Sequence, residues 1–391
     1  MKRKSIGLMV ICVVVTFFSI TAAVPQVSGA ELKIGVLTPL TGYVAYFGQL
    51  QEAALKVAQK DFAKLGPSGG FDLKFIIYDT GSKPQDAILM AQKLMHSDNV
   101  LAIFGPYLST ECEQVFPIVN RDKVPIITAS SAKAGLTAAN RPWTFRNVMT
   151  SDKINEPAFR AWVKQKNIKT VAILTDIKSK VCETYGKEVA PMFLKKYGVR
   201  IVEDIDFVTE DVDFSAQITR VKRANPDGIV LAGEYSMAAN IAREARKQGL
   251  KQSFITDVPT IGTADYIKLG GESVEGTFGP SDFWANSPDP KIQSFVKKFK
   301  AELGQDKTPS NTTAAMYDTA CITRYLVGKV GLSGKANDLQ KDREKIRDGW
   351  ASLKDYPGEL QGKTTIDKNG DALKDFFMLT VKGGQWVKVS E

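Results

Sequence analysis

The chain has 391 residues, 52 of them Lys or Arg and 43 Asp or Glu, for a formal net charge of +9. Acids and bases alternate, as in Lys297-Lys-Phe-Lys-Ala-Glu302 and Lys341-Asp-Arg-Glu-Lys345, so these runs read as solvated helix faces and no nucleic-acid partner is expected. With one histidine, His96, and no CxxC spacing, the usual zinc-ligand sets are excluded and no cofactor is expected.

In chain order the first element is a leader. Met1-Lys-Arg-Lys4 precedes an apolar run from Ile6 to Ile20, and Ser28-Gly-Ala30 stands before Glu31, the pattern of a secretory signal peptide cleaved after Ala30. The run is shorter than the roughly 20 apolar residues of a spanning helix. Cys12 lies inside it behind Ile11, where a lipoprotein would need a small residue. Losing Lys2, Arg3 and Lys4 brings the net charge to +6, and no later segment is long and apolar enough to cross a bilayer, so an exported, water-soluble periplasmic protein is expected. Cys112, Cys182 and Cys321 remain, odd in number and widely spaced, which fits free or buried thiols better than a disulfide scaffold.

Apolar β-type runs then alternate with amphipathic stretches. Strands are predicted over Leu32–Leu37, Leu73–Asp79, Val100–Phe104, Pro125–Thr128, Thr170–Thr175, Arg200–Phe207, Gly228–Ala232 and Ser253–Thr256. Helices are predicted over Gly48–Lys64, Gln85–Met95, Glu111–Asn120, Lys153–Gln165, Tyr185–Lys196, Phe214–Arg223 and Met237–Gln248, with two longer ones at Asp289–Leu303 and Thr312–Val327. Near-continuous apolar strands separated by helices imply an α/β fold with parallel sheets covered on both faces. Residues 31–391 exceed what one core usually organises, so two lobes are expected, with crossings near Met149–Asp152 and Val274–Asp282. The end, Phe376 to Lys388, reads as a hairpin around Gly383-Gly384.

Two strands end in small, hydroxyl-rich turns: Gly105-Pro-Tyr-Leu-Ser-Thr110 and Ala129-Ser-Ser131. At the carboxyl ends of parallel strands such turns aim N–H groups and hydroxyls into a crevice that suits an anion. The plainer reading is that Ser109 or Thr110 only caps the following helix. A nucleophile elbow GxSxG, GxGxxG and GxxxxGK[ST] are all missing, and the one histidine, His96, falls at the end of a predicted helix, where a Ser-His-Asp triad is hard to assemble, so a binding protein is expected and not an enzyme.

These residues resemble the type I periplasmic solute-binding proteins of ABC transporters, specifically the leucine/isoleucine/valine-binding family. The likeness runs through Lys33-Ile-Gly-Val-Leu-Thr-Pro-Leu-Thr-Gly42 with Gly48, Tyr78-Asp79 with Pro84, Ile127-Thr-Ala-Ser-Ser131, Thr144-Phe-Arg146, Tyr185-Gly186 and Arg243-Glu-Ala-Arg-Lys-Gln-Gly249. It implies two α/β lobes, each a mostly parallel sheet with helices on both faces, joined by three hinge crossovers. The N-terminal lobe would comprise 31–149 and 279–372, the C-terminal lobe 150–278 and 373–391. The implied role is capture of a hydrophobic, branched-chain-type amino acid or related small carboxylate, for delivery to permease and ATPase subunits. An aromatic or aliphatic carboxylate without an α-amino group is the alternative, and a soluble sensory ligand-binding protein stands third.

The resemblance assigns residues as well. Ser109 matches the serine after the third strand that holds the ligand carboxylate, and Ser130 and Ser131 match the turn after the fourth, with Thr110 beside them. Phe47 aligns with an aromatic that covers the ligand, or packs a loop, and Tyr185 with a tyrosine that reaches across the cleft. Ala132 replaces a threonine, and Val258 a glutamate, that grip the α-ammonium in amino-acid binders. Compensation would come from Asp257, one residue away, or from Glu234 with Tyr235 beside it. Glu234 either faces the cleft or is a loop charge in water.

Overall fold

The computed structural model describes residues 29–257 and 260–389. The expected leader, up to residue 28, and Val258 lie outside the described residues. Strand β1 (Ala30–Thr38) runs parallel to β2 (Phe71–Asp79), with Ile34 opposite Phe75, and to β3 (Ala102–Phe104) on its other side. Then β4 (Ile126–Thr128) and β5 (Thr144–Arg146) complete a parallel sheet in the order β2-β1-β3-β4-β5. Ile34, Val36, Ile103 and Ile127 are fully buried because helices cover both faces. One face packs against helices Ala45–Leu65 and Asn311–Lys329, the other against Pro84–His96 and Ser109–Arg121.

The second sheet repeats the scheme. Strands β6 (Thr170–Asp176), β7 (Arg200–Phe207), β8 (Gly228–Ala232), β9 (Ser253–Thr256) and β10 (Phe278–Ser281) are parallel. A three-stranded antiparallel sheet follows, β11 (Tyr356–Pro357), β12 (Lys363–Ile366) and β13 (Ala372–Lys374). The expected terminal hairpin forms as β14 (Phe377–Lys382) and β15 (Gln385–Lys388), and β14 pairs antiparallel with β10. The chain therefore passes between the two large sheets after β5, after β10 and after β13. Cys112, Cys182 and Cys321 are free.

Several boundaries move from their expected places. Residues 279–281, assigned by sequence to the first lobe, pair within the second sheet, where Gly279, Pro280 and Ser281 stand opposite Leu379, Met378 and Phe377 of β14. The boundary expected after residue 372 falls inside β13, which belongs to the small sheet. Strand β5 escaped notice because three residues carry no periodicity. Helix Ser109–Arg121 begins two residues early: the Glu111 side chain accepts the Leu108 N–H at 3.1 Å and takes the capping role itself. The helix expected from Tyr185 starts at Lys180 and widens into a π turn over Tyr185–Val189 before running on through Ala190–Lys196.

Candidate functional site

Two strand-tip turns of the first lobe are bound together by hydroxyls. Thr128, ending β4, donates from Oγ1 to the Pro106 carbonyl at 2.8 Å and accepts from the N–H groups of Ser130 and Ser131 at 3.3 and 3.2 Å. Ser130 Oγ donates to the Tyr107 carbonyl at 2.9 Å, and the hydroxyls of Ser109 and Ser131 lie 2.8 Å apart. Gly105 makes the first turn possible: its φ is +98°, and a Cβ there would stand 2.1 Å from the Leu37 carbonyl oxygen. Beneath the turns the fully buried Arg146 donates to the carbonyls of Ser131 and Lys133 at 2.6 and 2.7 Å and to Asp371 at 3.0 Å. The result is a stiff edge where serine hydroxyls meet the first turn of helix Ser109–Arg121, whose leading N–H groups have no partner within the helix. Hydroxyl and N–H donors gathered in this way are chemically suited to an anion.

The cavity on this edge is lined by Ser109, Thr110, Ser130 and Ser131, by Ser310, Asn311 and Thr312 at the start of another first-lobe helix, and by Ser179, Lys180, Val181 and Glu234 from the second lobe. Glu234 precedes helix Tyr235–Lys247 and is 7% exposed; its Oε1 accepts from Ser179 Oγ at 3.0 Å. Burial pushes its carboxyl up to about 7, the Ser179 hydroxyl opposing and the Asp176 charge adding to the rise. Aromatic rings roof the space. Phe47 stacks on Tyr107 with centroids 5.6 Å apart and meets Tyr235 edge-on at 5.8 Å, while Tyr46 packs on Tyr235 at 5.7 Å. An adjoining cavity of about 520 Å3 runs past Tyr43, Tyr46 and Tyr235. A larger hollow, about 830 Å3, lies on the first lobe beside Asp61 and Tyr317, but Asp61 is already held by Lys298 at 2.8 Å and Tyr317 at 2.9 Å.

The sequence profile of the Periplasmic binding protein family matches residues 31–385. The chain belongs to that family. A relative from Pseudomonas aeruginosa, named a leucine-, isoleucine-, valine-, threonine-, and alanine-binding protein, is 25% identical over 350 residues, 88% of each chain. A solved leucine binding protein LivK from Thermotoga maritima matches with a TM-score of 0.79 at 25% identity, covering 92% of this chain and 98% of its own. A solute binding protein of an ABC transporter from Rhodopseudomonas palustris, in complex with 3,4-dihydroxy benzoic acid, has the same fold: TM-score 0.79 at 22% identity, covering 92% and 96%. The fold is therefore that of the type I periplasmic binding proteins.

In this periplasmic binding protein the expected residues divide into two groups. Phe47, Ser109, Thr110, Ser130, Ser131 and Glu234 line one cavity, and Tyr235 lines its neighbour. Ser109 does not cap its helix through its side chain; it stands in the first turn with its hydroxyl on Ser131. Glu234 faces the cleft and not bulk water. Tyr185, expected to reach across, instead packs in the core of the second lobe at 1% exposure, 6.1 Å from Phe159. The π turn carries it inward, and Val181 and Lys180 take the wall. Asp257 is turned to the first crossover, where its Oδ2 accepts from Ser151 Oγ at 2.5 Å. Ala132 is buried behind the serine turn, its carbonyl accepting the Ser151 N–H. Sequence reasoning missed Tyr107, Ser179 and the Ser310–Thr312 segment. A signal existed for the last: Ser310 caps its helix, its Oγ accepting the Thr313 N–H at 3.3 Å, and so marks another helix start.

Proposed function

We propose that this chain is the substrate-binding component of an ABC importer, capturing a hydrophobic, branched-chain-type amino acid or related small carboxylate between its lobes and delivering it to permease and ATPase subunits. The observation that carries the reading is the convergence, on one cavity, of the serine edge of the first lobe and the buried Glu234 of the second. An ionised carboxylate takes hydroxyl and N–H donors at the serine edge, an ammonium takes Glu234, and Phe47, Tyr107 and Tyr235 supply the apolar wall. The names of the Pseudomonas and Thermotoga proteins support the same class. Nothing in this arrangement calls for catalysis. Ligand binding favours the conformer that closes the cleft, and the permease reads that outer surface.

A second reading, a carboxylate without the α-amino group, is favoured by Ala132 at the threonine position and by the dihydroxybenzoate-bound neighbour. Isothermal titration with leucine, isoleucine, valine, phenylalanine and aromatic and aliphatic acids tests both; silence across that panel would sink them. Ser131→Ala is expected to weaken binding of whichever acid scores by about tenfold, the worth of one charge-assisted hydrogen bond, with little change in the urea midpoint of the free protein. We further propose export with cleavage after Ala30. N-terminal sequencing of protein recovered from the periplasm should then begin at Glu31; retention of Met1 would contradict it.

A further inference from the structure

Closing two lobes over a cleft strips water from its walls, and for an ionised carboxylate that is costly unless a partner replaces the water. Glu234 sits where this cost falls. In this structure the lobes meet around it: Tyr235, its neighbour, touches Tyr46 and Phe47 of the first lobe, and Glu234 is buried, 7% exposed as a residue. Its protein partner is a neutral hydroxyl, Ser179 Oγ. The groups whose charges bear on it or feel it are anionic or neutral: Asp176 and Cys182 on its own lobe, Tyr235 beside it, Tyr43 and Tyr107 across the cleft. The two lysines on this wall are engaged elsewhere, Lys178 with Glu210 at 2.9 Å and Lys180 with Glu183 at 2.5 Å.

We propose that Glu234 gates closure by charge, the lobes shutting readily over a ligand that brings an ammonium to its carboxylate and reluctantly over one that does not. This rests on reading the cavity as a carboxylate site. It makes Glu234 the specificity-determining residue that chooses an amino acid over its desamino analogue, without the threonine and glutamate that Ala132 and Val258 replace. The choice depends on pH in a defined direction. Buried as it is in this structure, Glu234 has its carboxyl pushed up to about 7, above the ordinary glutamate value of 4.5 to which opening the cleft to water would return it. Between these values, closing over a ligand without an ammonium takes up a proton, so such a ligand binds more tightly as pH falls. Closing over an ammonium leaves the carboxylate ionised and takes up none.

Titrating the purified protein with L-leucine against isocaproate, and L-phenylalanine against phenylpropanoate, at about pH 8 and about pH 6 separates the possibilities. The desamino acid is expected to tighten about tenfold on acidification while the amino acid changes by less than about twofold. In Glu234→Gln that pH response disappears, the amino acid weakens about tenfold or more, and the desamino acid gains. A desamino acid too weak to detect in the wild type should emerge in the variant. Identical pH responses of the paired ligands in the wild type, or an affinity ratio unchanged in Glu234→Gln, overturns the gate and leaves the carboxylate site standing. Absence of binding by these four acids and by the rest of the panel above overturns both.

Discussion

Arg146→Ala should lower the stability of the first lobe by about 3–5 kcal/mol, read as a fall in urea midpoint at unchanged slope. The guanidinium is fully buried, and its three contacts tie the Ser131 and Lys133 carbonyls to Asp371. Removing it strands two carbonyls and a carboxylate left with the Thr137 hydroxyl at 2.5 Å and Lys153 no nearer than 4.0 Å. Ligand affinity should fall with stability, because the turn that loses its tether carries Ser130 and Ser131. A double change, Arg146→Ala with Asp371→Ala, is expected to cost less than the two single changes added, since the second removes the stranded charge. Strict additivity would mean that the pair is not coupled.

Gly48→Ala should be a strongly damaging single-methyl addition beside the site, through close approach alone. Its Cβ would lie 1.9 Å from the Pro39 carbonyl oxygen and 2.5 Å from the Pro39 carbonyl carbon, backbone atoms that cannot rotate away. Helix Ala45–Leu65 must shift off the loop, at a cost of about 3 kcal/mol, and Phe47 shifts with it. Gly66→Ala is the informative comparison. There φ is +73° and ψ −175°, an extended positive-φ conformation essentially confined to glycine, but nothing lies within 4 Å of the added carbon, so the cost is backbone strain alone, about 2 kcal/mol. Chemical denaturation of the two variants checks the ranking, and titration should show weakened ligand binding for Gly48→Ala alone. If Gly66→Ala proved the worse of the two, close approach would not be what Gly48 provides.

Much of the first-lobe site was legible along the chain because its signals are local. Ser109, Thr110, Ser130 and Ser131 each follow an apolar strand within a few residues, and in a parallel sheet strand tips necessarily share one edge. The second-lobe wall was harder to read. A one-residue rotation about a helix start exchanges the cleft for the core, and nothing local sets that rotation around Tyr185, where the π turn swings the ring inward onto Phe159.

The sequence by itself determined the alternating α/β plan, the two lobes and the serine-rich strand tips, since these follow from periodicity, turn chemistry and length, while the short list of acids at the second wall came from the family resemblance. Only the tertiary structure decided which acid meets the serines. Asp257 and Glu234 lie in similar loops after neighbouring strands, yet one is drawn to Ser151 at the crossover and the other is enclosed beside Ser179. Tertiary packing also decided that residues 279–281 complete the second sheet, and that Ser310–Thr312 return from far along the chain to close the cavity. Local pattern fixes which side of an element is apolar, but which elements meet across a gap depends on how distant segments dock, and that information is spread over the whole chain.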